Sequence, residues 1–290
     1  MHYSVMPQES LELLAIRPDG IYIDSTTGLG GHTGLIAQRL TTGVVLANDR
    51  DAQSLEMSRA NTAEWADRIR YHHGPFSQLA NAAAQEGFEK VDGLLADLGV
   101  SRYQLTSAER GFSFQSDGPL DMRMDQSTGM TAADLVNYTA EKALADLVFQ
   151  LGEERRARRI VRAIVRARPI RSTLHLADVV ERAVHRTGRT HPATRTFMAL
   201  RMAVNDESGE LDRLLQIGPE LLKSSGRMVV LSFMSIDDRK VKEKFRELAR
   251  EGRATILTKH PLQPSDEETA QNAASRSAKL RGLQMNEERE

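Results

Sequence analysis

A short strand followed by a glycine loop near the N-terminus constrains the fold of this chain more than any other feature. The apolar run 21–23 predicts a buried strand, and the periodic run 33–40 predicts a helix. Between them the loop carries Gly28, Gly30 and Gly31. A strand, a glycine loop and a helix in this order form the nucleotide-binding corner of α/β sheets. Glycines let the backbone turn sharply beside a ligand, and the helix start offers unpaired N–H groups.

The residues around this loop favour a cationic ligand over a pyrophosphate. The dinucleotide fingerprint needs a third glycine where this chain has Thr33. Asp24 closes the strand, and a run of hydroxyl residues follows it. An acid beside the loop disfavours phosphate and suits S-adenosylmethionine, which carries an ammonium, a sulfonium and a ribose. An ordinary strand–turn–helix corner without a ligand is the alternative.

Composition narrows the class of protein. The 290 residues are 40% hydrophobic and 27% charged, which is typical of a soluble globular enzyme with one large domain or a domain plus an insertion. The net charge of −1 means that any contact with nucleic acid depends on a local patch. The absence of cysteine excludes disulfides and thiolate catalysis. No apolar run approaches the roughly 20 residues of a membrane span, and residues 1–4 do not begin a signal peptide, so we expect a cytoplasmic protein with no membrane contact.

Three further predicted strands end at residues that can bind a ligand. Apolar runs at 44–47, 69–72 and 91–96 precede Asp49, Phe76 and Asp97 respectively. In an open α/β sheet ligands bind beyond the carboxyl ends of the strands, so we expect Asp24, Asp49, Phe76 and Asp97 to converge on one crevice.

Each of these residues also has an ordinary structural alternative. Asp49 lies about 20 residues beyond the glycines, where an acid binds ribose hydroxyls. It also suits the N-cap of the next helix, for which Asp51 is better placed. Phe76 can pack against an adenine ring or simply belong to the core.

The strand–helix alternation stops after the fourth strand. Residues 102–205 contain no clear buried strand, and helices are predicted at 132–137, 141–150, 153–168, 174–186 and 193–204. We interpret this part as a helical domain inserted into a sheet domain of residues 1–101 and 206–290. In the second part of the sheet domain we expect helices at 211–222 and 241–250, a turn at 224–226 and strands at 227–233 and 254–258. Residues 276–281 predict a last edge strand or a basic arm.

One predicted helix of the insertion carries a stripe of arginines. Arg155, Arg159, Arg162 and Arg166 recur at helical spacing, while Ala157, Ile160, Val161 and Ile164 lie on the opposite face and should pack inward. The stripe suits a phosphate backbone. A solvated charged face is the alternative, and the sequence leaves both open.

Several motifs in succession resemble one known family. They are Asp24–His32, Asp97–Ser101, Glu109–Phe114, Gly118–Asp125, Gly152–Arg155, His191–Phe197 and Asp237–Arg239. Together, over about residues 2–281, they resemble the bacterial small-subunit ribosomal RNA cytosine-N4 methyltransferases, the MraW or RsmH family. The chain departs from that pattern by carrying Arg102 and Tyr103 before Gln104, Met198 in place of a glutamine, and Met234 in place of a histidine.

The resemblance implies a fold, a reaction and a set of site residues. It implies a Rossmann-like class I methyltransferase sheet, α/β and doubly wound, with an inserted all-helical domain that recognises RNA. It also implies N4-methylation of a cytidine in the decoding region of small-subunit rRNA, on RNA or on the assembled 30S subunit, with S-adenosylmethionine as donor. The implied cofactor contacts are Gly30, Gly31, His32, Asp49, Phe76, Asp97 and Gln104.

The chemistry of the acceptor suggests a catalytic group. The amino nitrogen of cytosine is a poor nucleophile, and Asp97 is the carboxylate best placed to accept one of its N–H groups. The alternative is that Asp97 contacts only the cofactor and that nearby backbone carbonyls accept the N–H group. Sulfonium transfer needs no metal. The cytidine would be flipped out of its stack, and Tyr103, Phe112 and Phe114 would either stack on it or pack within the core. A methyltransferase of another nucleic-acid or protein amine and a catalytically silent ribosome-assembly factor are the alternatives.

Overall fold

The structure is a computed structural model, and it describes residues 4–186 and 190–287. The chain forms two compact units, Met1–Gly99 with Gly209–Glu290, and Val100–Ser208. The boundaries expected from the sequence, after residues 101 and 205, lie close to this division. No helix within the described ranges combines the length and the apolar character needed to cross a membrane.

The first unit contains one sheet of seven strands in the order β3-β2-β1-β4-β5-β7-β6. The strands are β1 Ile21–Asp24, β2 Val44–Asp49, β3 Ile69–His73, β4 Val91–Asp97, β5 Leu222–Ser232, β6 Ala254–Ile256 and β7 Lys279–Met285. The pairs from β3 to β5 are parallel, and β7 runs antiparallel to both of its neighbours. The order reverses between β1 and β4, where a doubly wound sheet opens its crevice. The predicted Rossmann-like fold class is confirmed.

Helices cover this sheet and fill the second unit. In the first unit they are α1 Pro7–Leu14, α2 Gly31–Arg39, α3 Ala52–Asn61, α4 Leu79–Gln85, α12 Ser235–Arg250 and α13 Asp266–Gln271. In the second unit they are α5 Arg102–Thr106, α6 Ala132–Tyr138, α7 Glu141–Gly152, α8 Ala157–Ala167, α9 Thr173–Ala183 and α10 Thr194–Val204. Helix α11, Glu207–Leu221, leads back into the sheet.

The central strands are buried on both faces, which explains why they are nearly continuous apolar runs. In β4, Leu94 joins the hydrophobic core on one side of the sheet and Leu95 joins the core on the other side. In β5, Val230 joins the same core as Leu94, and Leu231 joins the same core as Leu95. Parallel strands that are covered by helices on both sides have this composition. The first polar residue after such a run therefore marks the strand end.

Helix α8 confirms the inward face predicted from its periodicity, because Ala157, Ile160, Val161 and Ile164 are all buried. It begins four residues later than predicted. Glu153 adopts a left-handed backbone with φ 48° and ends α7, so the two helices are separate. Helices α7 and α10 pack closely at Gly152, where an added Cβ would lie 2.6 Å from the Arg195 carbonyl oxygen.

Two predictions for the C-terminal strands are wrong. The turn expected at 224–226 lies within β5, where Ser225 has φ 64° and the pairing with β4 shifts register. A bulge therefore absorbs the extra residues without ending the strand. Strand β7 is not an edge strand, because it lies between β5 and β6. The basic-arm reading is also wrong, since Arg281 is 7% exposed and donates from Nε to Asp238 Oδ1 at 2.7 Å.

We expect Asp238→Asn to destabilise the first unit strongly. Burial alone would raise the pKa of Asp238, but the hydrogen bond and charge of Arg281 hold it below the usual value. Removing the carboxylate charge leaves a buried guanidinium unpaired, which costs about 3–5 kcal/mol. Denaturant unfolding measures this loss. The control is Asp212→Asn, whose exposed carboxylate pairs with Lys240 and contributes about 0–1 kcal/mol. Equal losses in the two variants would contradict the expectation.

Candidate functional site

Three carboxylates lie at the carboxyl edge of neighbouring parallel strands. Asp24, Asp49 and Asp97 are the last residues of β1, β2 and β4, and β1 lies between the other two. Asp24 is fully buried, whereas Asp49 and Asp97 are partly exposed. The charge of Asp24 contributes to the raised pKa of both neighbours. The structure thus brings the three predicted acids to one edge of the sheet.

Asp24 holds the glycine loop in place. Its Oδ2 accepts a hydrogen bond from Thr33 Oγ1 at 2.6 Å, and its Oδ1 accepts one from the Thr26 N–H at 3.1 Å. Burial raises its pKa to about 6, while the hydrogen bonds from Thr33 and Thr26 oppose that rise. Because no part of Asp24 is exposed, the expectation of a direct ligand contact is wrong for this residue. It joins β1, the loop and the first turn of α2.

The glycine loop is tied to β2 and packed against α3. The Gly28 N–H donates to Asp49 Oδ2 at 2.7 Å. Gly30 has φ 89°, and an added Cβ would lie 2.6 Å from Ser58 Oγ. Gly30 is therefore required both by its backbone conformation and by the close approach of α3. Helix α2 begins at Gly31, so its first N–H groups have no partner within the helix.

Asp49 keeps acceptor capacity after its structural bonds are made. Its two oxygens accept from the N–H groups of Gly28 and Asp51. The capping role falls to Asp51, whose side chain accepts from the N–H groups of Gln53 and Ser54. A carboxylate offers about four lone-pair directions, so two remain on Asp49 for hydroxyl donors. Burial raises its pKa to about 6.

Asp97 faces a buried histidine that the sequence did not connect with it. His32 Nδ1 lies 3.7 Å from Asp97 Oδ2, and His32 Nε2 lies 3.1 Å from the Val5 carbonyl oxygen. A carbonyl only accepts, so Nε2 carries a proton, while Nδ1 is the ring nitrogen nearer to the carboxylate. Burial raises the pKa of Asp97 to about 6, and His32 opposes the rise. His32 is 5% exposed, and its cofactor role remains a prediction.

Asn48 is a site residue that sequence reasoning missed. It is 1% exposed, and its Nδ2 donates to the carbonyl oxygens of Ser25 and Gly74, each at 3.2 Å. Its Oδ1 lies 2.8 Å from His72 Nδ1. One amide therefore joins the segments that follow β1 and β3. The only signal in the sequence was a polar residue immediately before Asp49.

Phe76 and Gln104 lie in different units. Phe76 begins a single 3-10 turn after β3 and is partly buried against the hydrophobic core of the first unit. Gln104 belongs to the second unit, where its Oε1 accepts from the Ser101 N–H at 2.9 Å and closes a capping box at the start of α5. The cofactor role of both residues remains a prediction.

Two of the three aromatic residues for which stacking and packing were both open, Phe112 and Phe114, pack within the second unit, while the role of the partly exposed Tyr103 remains a prediction. Phe112 is 5% exposed in the hydrophobic core. The Phe114 ring lies 4.8 Å from the Phe197 ring and 4.7 Å from the His191 ring, measured between centroids. The packing alternative therefore holds for Phe112 and Phe114. Among the described residues no group of three acidic, histidine or cysteine side chains is arranged to hold a metal ion.

Sequence comparisons place close relatives over the full length of the chain. The MraW methylase family matches residues 1–286. The chain is 75% identical over 285 residues to the ribosomal RNA small subunit methyltransferase H of Solibacter usitatus, which covers 98% of this chain and 100% of that protein. The enzyme of the same name from Koribacter versatilis is 47% identical over 292 residues, covering 97% of this chain and 92% of that protein.

A comparison of structures finds looser likenesses. A putative methyltransferase from Streptococcus mutans, crystallised in complex with SAH, is 13% identical and superposes with a TM-score of 0.44. The superposition covers 98% of this chain and 99% of that chain. The family assignment therefore rests on the sequence relatives.

We expect Gly30→Ala to destabilise the loop through two separable effects. A left-handed backbone at a residue with a Cβ costs roughly 1–2 kcal/mol, and the contact with Ser58 Oγ adds roughly 1–3 kcal/mol. In the double variant Gly30→Ala/Ser58→Ala only a part of the contact cost should be recovered, because the added Cβ would still lie 2.9 Å from Thr62 Cγ2. Thermal and denaturant unfolding of the two single variants and the double variant measure the coupling. Strictly additive effects would show that Ser58 does not restrict this position.

The buried carboxyl of Asp24 should give a pH-dependent stability. Its pKa is about 6 in the folded protein against an ordinary 3.8, so the folded state binds this proton more tightly. The resulting stabilisation is complete below the ordinary pKa and is lost as the pH rises through the folded pKa. Relative to wild type, Asp24→Asn should therefore gain stability from pH 4 to 6, by up to about 1.4 kcal/mol per pH unit.

Denaturant unfolding at several pH values checks this expectation. The exposed Asp146→Asn provides the control, and its stability should run parallel to wild type. A parallel curve for Asp24→Asn as well would exclude a raised pKa at Asp24.

Proposed function

The chain belongs to the MraW methylase family, and from this membership we propose that it methylates N4 of a cytidine in the decoding region of small-subunit ribosomal RNA. S-adenosylmethionine is the methyl donor in this proposal. The acceptor is the RNA itself or the assembled small subunit.

One observation carries the proposal. The 75% identity to a protein named ribosomal RNA small subunit methyltransferase H extends over 98% of this chain and the whole of that relative. Because the matched stretch spans both compact units, it includes the sheet and the helical unit together. A shared name alone would support only the fold, but identity at this level over both units supports a shared reaction and acceptor.

The donor set at the sheet edge fits S-adenosylmethionine. Asp49 is partly exposed and keeps lone pairs for the two ribose hydroxyls. Phe76 is only partly buried and suits a contact with adenine, and α2 begins at Gly31, so the positive end of that helix lies at the loop. The carboxylates of Asp49 and Asp97 give the edge the negative character that a sulfonium and an ammonium require. When bound, S-adenosylmethionine supplies an electrophilic methyl group on sulfur.

Asp97 is the residue we propose to act on the acceptor. The lone pair of the cytosine amino nitrogen is delocalised into the ring, so a hydrogen-bond acceptor that holds an N–H makes the nitrogen more nucleophilic. Asp97 is a partly exposed carboxylate, and its backbone N–H donates to Thr26 Oγ1 at 2.6 Å, which fixes the strand end. Its raised pKa brings its ionisation close to neutral pH, where a general base is most effective.

We expect Asp97→Asn to lower kcat about 10²–10⁴-fold, because the amide is a weaker acceptor and cannot take a proton. In the wild type the rate should fall as the pH drops below about 6, where Asp97 becomes protonated. The assay is methyl transfer from labelled donor to small subunits that lack the modification. The exposed Asp19→Asn provides a control and should retain wild-type kinetics.

Separate measurements distinguish the alternatives. Mass spectrometry of decoding-region rRNA from cells with and without the gene should show loss of one methyl group on a cytidine. If the methyl group is transferred to protein or to free nucleosides but not to small subunits, the proposed acceptor is wrong. If S-adenosylmethionine at saturating concentration does not raise the Tm of the protein, the chain does not bind the donor and the assembly-factor alternative stands.

A further inference from the structure

Helix α8 of the second unit carries a dense row of exposed arginines. Residues 153–168 contain seven arginines against two glutamates, although the whole chain has a net charge of −1. We call the exposed members Arg155, Arg158, Arg159, Arg162 and Arg166 the arginine face. Arg158, Arg159, Arg162 and Arg166 lie on the side of α8 opposite the buried Ile160 and Ile164, and Arg155 precedes the first turn of this helix. The segment is therefore locally basic in a chain that is nearly neutral overall.

The arginine face lacks the partners that an ordinary solvated helix face provides. Within residues 4–186 and 190–287, the side chains of Arg155, Arg158 and Arg159 make no hydrogen bond or ion pair. Arg162 has an exposed ion pair with Glu141 at 3.8 Å, and Arg166 donates from Nε to the Arg162 carbonyl oxygen at 3.3 Å. No acid occurs between Arg155 and Arg168, so like charges lie three and four residues apart and repel each other. An anionic partner along this face would remove that repulsion.

A cleft at one end of the arginine face adds an aromatic surface. It has a volume of about 670 Å³, and its lining residues are Phe149, Gln150, Glu153, Arg155 and Arg195. Phe149 is 56% exposed on α7, which is unusual for a phenylalanine. Arg195 donates from Nη1 to the Glu153 carbonyl oxygen at 3.2 Å, which fixes its guanidinium beside the cleft. Arg155 belongs both to the cleft and to the arginine face.

We propose that the arginine face and this cleft together bind a single-stranded segment of the RNA substrate, with phosphates on the arginines and one unstacked base against Phe149. The proposal rests on the proposed function and names the surface that holds the RNA. Arginines that follow a backbone, with an aromatic ring for a base, are the usual means of holding single-stranded nucleic acid. In a duplex the bases stay stacked and paired, so none of them would be able to stack on the Phe149 ring.

The first test removes charge from the arginine face. In the triple variant Arg155→Gln/Arg159→Gln/Arg162→Gln the Kd for an unstructured oligoribonucleotide should rise at least tenfold at low salt. The slope of log Kd against log salt should decrease by about 0.7 for each lost phosphate contact. The matched control is Arg246→Gln/Arg250→Gln, which removes two exposed arginines of α12 in the other unit and should leave both quantities unchanged.

The second test addresses the aromatic surface. Phe149→Ala should raise the Kd for the same oligoribonucleotide about tenfold, and Phe149→Trp should restore binding, because any base stacks on either ring. The control is Tyr138→Ala, which removes an 83% exposed ring that does not line the cleft. With undermethylated small subunits as substrate, the KM should rise for Phe149→Ala while kcat stays unchanged.

The outcomes separate this inference from the proposed function. If the arginine and Phe149 variants bind and methylate like wild type, the surface does not hold the RNA and the inference is wrong, while the reaction itself stands. If Phe149→Leu binds as tightly as Phe149→Trp, the site is apolar rather than a stacking surface and the inference also fails. If wild type transfers no methyl group to any RNA but binds the oligoribonucleotide through these residues, only the proposed function falls.

Discussion

The buried carboxylate of Asp24 determines the shape of the candidate site. It is the last residue of the strand at the centre of the site, and it accepts hydrogen bonds from the Thr26 N–H and the Thr33 hydroxyl. Those bonds fix where the glycine loop leaves the sheet and where α2 begins. The Gly28 N–H of this loop then donates to the Asp49 carboxylate. The backbone N–H of Asp97 donates to Thr26 Oγ1, which holds the end of β4 against the loop. The exposed acids are positioned by an acid that does not reach the surface.

Three carboxylates at one sheet edge also create an electrostatic environment that one acid alone would not. The pKa of each is raised to about 6, mainly because each is shielded from solvent. Asp24 raises the pKa of the other two further through its charge. A cationic ligand that enters this edge would lower the pKa values of all three carboxyl groups. By the same linkage, it would bind more tightly when the three groups are ionised. The same arrangement disfavours phosphate groups, which explains why the loop departs from the dinucleotide pattern at Thr33.

Sequence patterns predicted the parts of this structure that depend on local periodicity. The buried strands were identifiable because Val91–Asp97 and its equivalents are apolar runs that end at a polar residue. The inward face of α8 followed from its helical repeat. Contacts between distant segments were not identifiable: the bulge at Ser225, the position of β7 between two strands, and the contact of His32 with Asp97 all depend on pairing across the fold. Asn48 was missed for the same reason, since its partners lie on other segments.

The hydrogen bond between His32 and the Val5 carbonyl links the beginning of the chain to the reactive edge of the sheet. The main chain of that segment is also held by the Met6 N–H, which donates to Glu268 Oε1 at 2.8 Å. The carbonyl selects the tautomer of His32 by requiring a proton on Nε2. A proton on Nδ1 as well makes the ring an imidazolium, and the positive charge of that form lowers the pKa of Asp97. The ionisation of the candidate base is thus coupled, through His32, to the position of the Val5 carbonyl, so displacing the segment at Val5 and Met6 would be a chemical perturbation as well as a steric one.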